Sequence, residues 1–288
     1  MNGFEMAIKK CIRGFVALCC CLGMLGVSRP ALAGEDPGDL FNYSFAVWLG
    51  SGLYKVKDAD KRFAVLRVPA GYTFRPADIE KPKMTERLGY RLLLPAVIGF
   101  EEETDTDFSF GAFGFVPGLE VQIPVNKYWT LKPFGQFGAG KDTAGGTAQY
   151  IYGAGLKSLV SVSWRKFVFG IGNSWIAAGD RDTTSKDGNG FSLLNVGLDI
   201  RHPTGFTMFD RGVDIGGYFV VNYFKNRAEF LCQDGESSKL KTLYEVGLTF
   251  GVSEPVSIWE IDLDRVGIDY RWGDEGLRGI GFNLGFPF

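Results

Sequence analysis

The sequence predicts an all-β fold: an antiparallel β-barrel of about twelve strands, closed within lipid. Three observations carry this. The last stretch, residues 277–288, sets Ile280, Phe282, Leu284, Phe286 and Phe288 on every second position, with Gly279, Gly281, Asn283, Gly285 and Pro287 between them. Successive side chains of a strand point to opposite faces, so this stretch reads as a strand with one apolar and one small or polar side. The same period of two recurs along the chain, and the charged residues keep to one phase of it. The composition agrees: 40 Gly and 25 Phe, with no long apolar run after the N-terminus, suit short strands better than helices.

The N-terminus reads as an export signal. Lys9, Lys10 and Arg13 precede an apolar core at residues 15–27, too short to span a membrane as a helix. Ala31-Leu32-Ala33 has the small-x-small form of a cleavage site, which divides the chain into a cleaved signal at 1–33 and a single barrel domain at 34–288. Cys11, Cys19, Cys20 and Cys21 leave with the signal, and Cys232 alone cannot form an intrachain disulfide. The remaining chain holds 27 basic and 32 acidic residues, a net charge of −5, which argues against a nucleic-acid partner.

In chain order the expected strands are 41–54, with Phe41, Tyr43, Phe45, Val47 and Leu49 on one side; 62–68; 87–100; 108–125, bent at Pro117-Gly118; 128–140; 149–163; 166–178; 191–201; 212–224; 240–250; 256–272, with a bulge near Asp264; and the final strand. Residues 69–86 hold three prolines and read either as a long periplasmic connection or as a short segment inside the lumen. Residues 202–211 read as an irregular connection and 253–255 as a turn. An even strand count puts both termini on one side, the periplasm. The more polar connections at 101–107, 141–148, 179–190 and 225–238 then fall outside. Tyr128, Trp129 and Trp164 at one level and Tyr150, Tyr152, Trp175, Tyr223, Tyr270 and Trp272 at the other match two interfacial aromatic girdles.

The closing stretch resembles the last strand of bacterial outer-membrane β-barrels. The resemblance implies that Phe282, Leu284, Phe286 and Phe288 form a signal for the barrel-assembly machinery, with the terminal Phe288 as its key. Two segments resemble autotransporter-type barrel domains: Val116 to Phe134, a strand, turn and strand with prolines near each end, and Asp264 to Phe288, with Ile268-Asp-Tyr-Arg-Trp-Gly273 before the closing strand. That resemblance implies a twelve-stranded barrel in the cell outer membrane, contacting lipid and lipopolysaccharide. Only residues 34–40 lie between the signal and the first expected strand, so the chain reads as a solitary barrel without a passenger.

The inward phase gives the candidate functional residues. Arg91, Glu120, Lys132, Lys157, Asp199, Asp214, Glu245, Asp269 and Arg271 should line the lumen, with Arg91, Glu120, Lys132 and Lys157 close together and Arg271 within reach of Asp269. Mixed charges in a narrow interior favour paired networks over a wide ion path, so the lumen should be narrow or plugged. The function expected is non-enzymatic, structural or surface-interacting or a narrow pore, with a selective small-solute channel as the alternative and an outer-membrane lipid hydrolase less favoured. A hydrolase needs an imidazole within hydrogen-bond reach of its nucleophile. The one histidine, His202, falls at the periplasmic end, as a turn residue before Pro203. No cofactor or metal is expected. Gly135, Gly140 and Lys141 imitate a phosphate loop, but Asp142 stands where Ser or Thr is needed. Asp180, Asp182 and Asp187 lack the glycine a Ca²⁺ loop needs for its sharp turn. The acidic residues at 101–107 read as a solvated run that can share divalent ions with lipopolysaccharide.

Overall fold

The computed structural model describes residues 47–55, 62–102, 108–142, 148–184, 188, 190–208, 210–231, 237–258, 261–274 and 276–288. Residues 1–46, with the expected signal and its cysteines, and Cys232 lie outside that set.

The strands are β1 (Gly52–Lys55), β2 (Arg62–Arg75), β3 (Gly89–Glu102), β4 (Phe108–Phe115), β5 (Gly118–Asn126), β6 (Trp129–Asp142), β7 (Ala148–Trp164), β8 (Phe167–Asp182), β9 (Gly190–Met208), β10 (Arg211–Leu231), β11 (Ser237–Ile258), β12 (Ile261–Gly273) and β13 (Arg278–Asn283). A four-residue helix, α1 (Met84–Arg87), lies between β2 and β3. Every pairing is antiparallel, and β1 joins β13, which closes the sheet. Both β4 and β5 pair with β3 on one side and β6 on the other. They are two halves of one wall position, broken at Val116-Pro117, so the closed barrel has twelve positions, and the bend expected at Pro117 is where the strand breaks.

Several boundaries differ from the sequence expectation. Residues 47–49 form one helical turn rather than part of a strand, and the wall starts only at Gly52, after Gly50 turns the chain with φ of 89°. β2 runs through Pro69 to Arg75. Pro69 stands opposite Pro95, and β1 has already ended at the Gly52–Val65 pair, so the missing N–H breaks no ladder bond on the β1 side. Residues 69–75 are therefore wall, and 76–88 form an external connection whose residues 80–85 are exposed, which rules out a lumenal segment there. β9 continues through His202 and Pro203 to Met208. Pro203 pairs with Asp214 beside a register shift between Gly212 and Asp214, where a strand tolerates a lost donor. The expected turn at 253–255 lies inside β11, because the irregularity between Gly251 and Val256 absorbs Pro255. The phase slip near Asp264 thus reflects extra residues on the partner strand.

Residues 127–128 and 165–166 make tight turns at one end of the barrel, the tight-turn end, where Met208 also pairs with Arg211 and Ile258 with Ile261. The strands β1, β3, β6, β8, β10 and β12 run towards the opposite, loop end.

The last correction concerns the closing stretch. β13 stops at Asn283, and residues 284–288 leave the sheet. Asn283 Oδ1 accepts a hydrogen bond from Gly285 N at 3.2 Å, and Gly285 adopts φ of 115°, a region few residues other than glycine tolerate. This local turn redirects the chain into the barrel. Ile280 and Phe282 keep the expected outward position, but Phe286 and Phe288 pack inside.

Candidate functional site, the barrel interior

The wall is inverted relative to a water-soluble protein. On β9, Leu198 and Ile200 are exposed while Asp199 between them is 3 % exposed. On β11, Leu248 and Phe250 flank the buried Thr249, and on β12, Ile268 and Tyr270 alternate with the buried Asp269 and Arg271. The exposed aromatic residues include Tyr150, Tyr152, Tyr223 and Tyr270 towards the loop end and Trp164 at the tight-turn end; Tyr244 and Trp272 stack at 5.5 Å beside Tyr270. Trp129 and Trp175 are half-buried, each donating its indole N–H to a serine, Ser158 at 2.8 Å and Ser192 at 2.9 Å. The outer face is thus apolar and aromatic, and ionic groups are withdrawn to the inner one.

Of the nine sequence-predicted charges, Glu120, Asp199, Glu245, Asp269 and Arg271 are buried and Arg91, Lys132, Lys157 and Asp214 are half-buried. They form two groups. The first lies on the wall of β9 to β12. Arg265 Nη1 donates to both oxygens of Asp199 at 3.0 Å, and Arg201 lies 3.7 Å from the same carboxylate. Arg271 is the hub of this wall. Its Nε lies 3.0 Å from Glu245 and 2.9 Å from Asp269, and its Nη1 donates to the Leu49 carbonyl and the Tyr54 hydroxyl. Tyr218 donates to Glu245 Oε1 at 2.5 Å, and Asn283 Nδ2 donates to Asp269 Oδ2 at 3.1 Å. A buried carboxylate with several donors of this kind is held in one place. Asp214, half-buried on β10, is within electrostatic range of Asp199, and its Oδ1 has no hydrogen-bond partner.

The second group lies on β3, β5, β6 and β7. Arg91 stands opposite Glu120 in the β3–β5 register, and Lys132 stands opposite Lys157 in the β6–β7 register. Two lysines directly opposite repel each other. Here residues 287–288 give each an acceptor: Lys132 Nζ donates to the Phe288 carbonyl oxygen at 3.3 Å and Lys157 Nζ to the Pro287 carbonyl at 3.5 Å.

Two apolar plugs fill the space that the charges leave. In the loop-end half, Val47 and Leu49 join Tyr54, Phe134, Ile151, Ile176, Phe191 and Leu240 in one buried cluster, with the Trp48 ring 5.7 Å from that of Phe134. In the tight-turn half, Phe286 and Phe288 pack against Leu159, Tyr218 and Val220. Phe288 lies flat on Gly172 and Gly197: a Cβ at Gly172 would overlap its ring, and one at Gly197 would come within 2.7 Å of it. Burying one such phenylalanine is worth about 1.5–3 kcal/mol.

Sequence reading missed members of this interior, among them Arg67, Arg201, Arg265, Tyr54 and Tyr218. Arg67 and Arg265 share the inward phase with Val65 and Asp269 and were legible by parity. The two tyrosines look like wall aromatics until their hydroxyls are seen to meet Arg271 and Glu245. His202 sits in the β9 ladder opposite Ile215 with its ring 4.8 Å from that of Phe167, rather than in a turn. Asp180 is buried on β8; Asp187 and the acidic residues 103–107 lie outside the described residues. Among the described residues, no group of three His, Cys, Asp or Glu is placed to hold a metal.

Comparison with protein-family models gives no match for this chain, and comparison with curated proteins finds no similar sequence.

Proposed function

We propose that the chain is an integral outer-membrane β-barrel whose role is structural or surface-interacting rather than enzymatic, with an interior filled by its own residues. The observation that carries this is the inversion of the wall. Leu248 at 67 %, Ile268 at 62 % and Ile280 at 68 % exposure neighbour Thr249, Asp269 and Gly281, all buried. In water an exposed apolar belt of this extent invites aggregation, whereas in a bilayer it is the favoured surface. The β1–β13 pairing closes the sheet, as a sheet that spans lipid requires. In this reading the outer surface meets lipid, the loop end meets lipopolysaccharide, and the export signal and terminal Phe288 serve delivery and recognition by the barrel-assembly machinery, as in the autotransporter-type barrels the chain resembles. Phe288 would be read by that machinery before folding, while the tail is still outside the lumen. The non-enzymatic reading rests on His202, whose ring packs on Phe167 on a tight-turn strand segment, away from the loop end.

A second reading, a selective small-solute channel, draws on the separation of the lumenal charges into a cation-rich and an acid-rich wall. It requires the tail or the 47–49 turn to move aside. The test is reconstitution. Refolded protein should enter lipid vesicles, resist carbonate extraction and migrate differently in unboiled and boiled electrophoresis samples. A soluble monomer that ignores vesicles would overturn the proposal. Steady, ion-selective conductance of the intact chain in a planar bilayer would favour the channel.

A further inference from the structure

The barrel closes on a short ladder: β1 meets β13 in four residue pairs, whereas β7 meets β8 in sixteen. Two of the four, Gly52 with Gly281 and Tyr54 with Gly279, face the lumen and put one side chain, Tyr54, into the seam. The other two face outward. Leu53 stands opposite Ile280, 42 % and 68 % exposed, and Lys55 stands opposite Arg278, both exposed. Residues directly opposed on one face have their Cβ atoms about 4.5–5.5 Å apart, and like charges so placed are destabilising. Both registers continue round the wall. One runs through Leu53, Ile280, Tyr270 and Val246, and the other, two residues or about 7 Å nearer the loop end, through Lys55, Arg278, Trp272 and Tyr244. Trp272 and Tyr244 stack at 5.5 Å. Outward aromatic residues at a strand end mark the level of lipid headgroups, so Lys55 and Arg278 stand at that level, directly above an apolar step.

Among the described residues no carboxylate pairs with Lys55 or Arg278. Arg62, opposite Lys55 on β2, has contacts of its own and extends the row of cations. Asp274, the described acid nearest to Arg278 in sequence, is turned towards β11, where its carboxylate accepts the backbone N–H groups of Lys241 and Thr242 at 3.1 and 3.2 Å. A guanidinium beside an ammonium matches the oxygens of a phosphate, and the apolar step below them matches an acyl chain. We propose that Lys55 and Arg278 form an outward-facing binding site for the phosphate of an anionic lipid headgroup, with the lipid chain along Leu53 and Ile280. The phosphate lies between like charges on two strands that few other pairs join, and so ties the closing seam of the barrel. This site rests on the membrane reading given above and adds to it a place and a ligand charge.

The experiment is native mass spectrometry of the full barrel in non-ionic detergent, with phosphatidylglycerol or phosphatidylcholine added at equal concentration. The parent should hold one phosphatidylglycerol with a preference of about fivefold or more over phosphatidylcholine, the scale expected of a cation at a membrane surface. Lys55→Gln/Arg278→Gln should abolish the preference. The charge-keeping variant Lys55→Arg/Arg278→Lys should retain it, as should Lys127→Gln/Lys166→Gln, which removes two cations from the tight-turn end. In vesicles containing phosphatidylglycerol, amide exchange at residues 278–282 should slow in the parent and not in Lys55→Gln/Arg278→Gln. Where that variant does not fold, Arg278→Gln alone serves, and should lose part of the preference. Equal adducts of the two lipids on the parent, or a preference that survives loss of both cations, overturns the proposal. A barrel that enters vesicles and shows no preference sinks this site alone, whereas a soluble monomer that ignores vesicles sinks the membrane reading itself.

Discussion

Replacing Arg271 with methionine tests the interior network most sharply. Arg271 lies 3.0 Å from Glu245 and 2.9 Å from Asp269, and it also donates to Tyr54 and to the Leu49 carbonyl. Methionine fills much of the same volume and removes the charge. Glu245 and Asp269 then remain buried, 9 % and 4 % exposed, with like charges near each other. Removing one partner of a buried pair typically costs about 3–5 kcal/mol, because the remaining charge is uncompensated. Tyr218 and Asn283 still donate to the two carboxylates, which places the expected loss at the lower end, about 3 kcal/mol. The triple variant Arg271→Met/Glu245→Gln/Asp269→Asn removes all three charges and should recover most of that, ending within about 1–2 kcal/mol of the parent. The assay is reversible urea unfolding in lipid vesicles, read by tryptophan fluorescence and by band shift. A single variant within about 1 kcal/mol of the parent would refute the reasoning. So would a triple variant less stable than the single one.

Three further outcomes follow from the same geometry. Leu248→Arg, on the outward face, should cost about 2–4 kcal/mol of stability in bilayers, whereas the inward neighbour change Thr249→Ser should cost under about 1 kcal/mol; urea titration in vesicles compares them. Gly172→Val should expel Phe288 from its seat, since even the first added carbon meets the ring. The readout is carboxypeptidase release of Phe288 from the folded barrel, slow in the parent and fast in the variant. Deleting Pro287 and Phe288 leaves Lys132 and Lys157 opposed without the two backbone oxygens they donate to, and should lower stability by about 1–3 kcal/mol, a loss that Lys157→Gln partly reverses.

The parts of the fold set by local alternation were readable from the chain. Leu198-Asp199-Ile200 and Tyr270-Arg271-Trp272 state their two faces directly. Strand ends were harder. Pro203 and Pro255 look like terminators, but each falls beside a register shift where the ladder needs no donor, a circumstance set by the partner strand. The two plugs escaped for a related reason. Val47 and Leu49, and Phe286 and Phe288, keep the period of two, yet glycines at positive φ, Gly50 and Gly285, turn both segments off the wall. An apolar alternation says that one side is greasy; it does not say whether that side meets lipid or the barrel's own interior. Pairing partners were legible only where neighbouring strands were joined by tight turns, as for Trp164 and Phe167. The Arg265–Asp199 pair spans strands β9 and β12 across the lumen, and no local pattern encodes it.

The central claim is that this sheet carries its apolar face outward into lipid and its charges inward. Spin labels on a cysteine-free background at position 248 and, separately, at position 53 test it after reconstitution into vesicles. Power saturation should show strong relaxation by dissolved oxygen and weak relaxation by a water-soluble nickel chelate at both sites. Ready access of the chelate to position 248 in a folded, vesicle-bound protein would contradict the account.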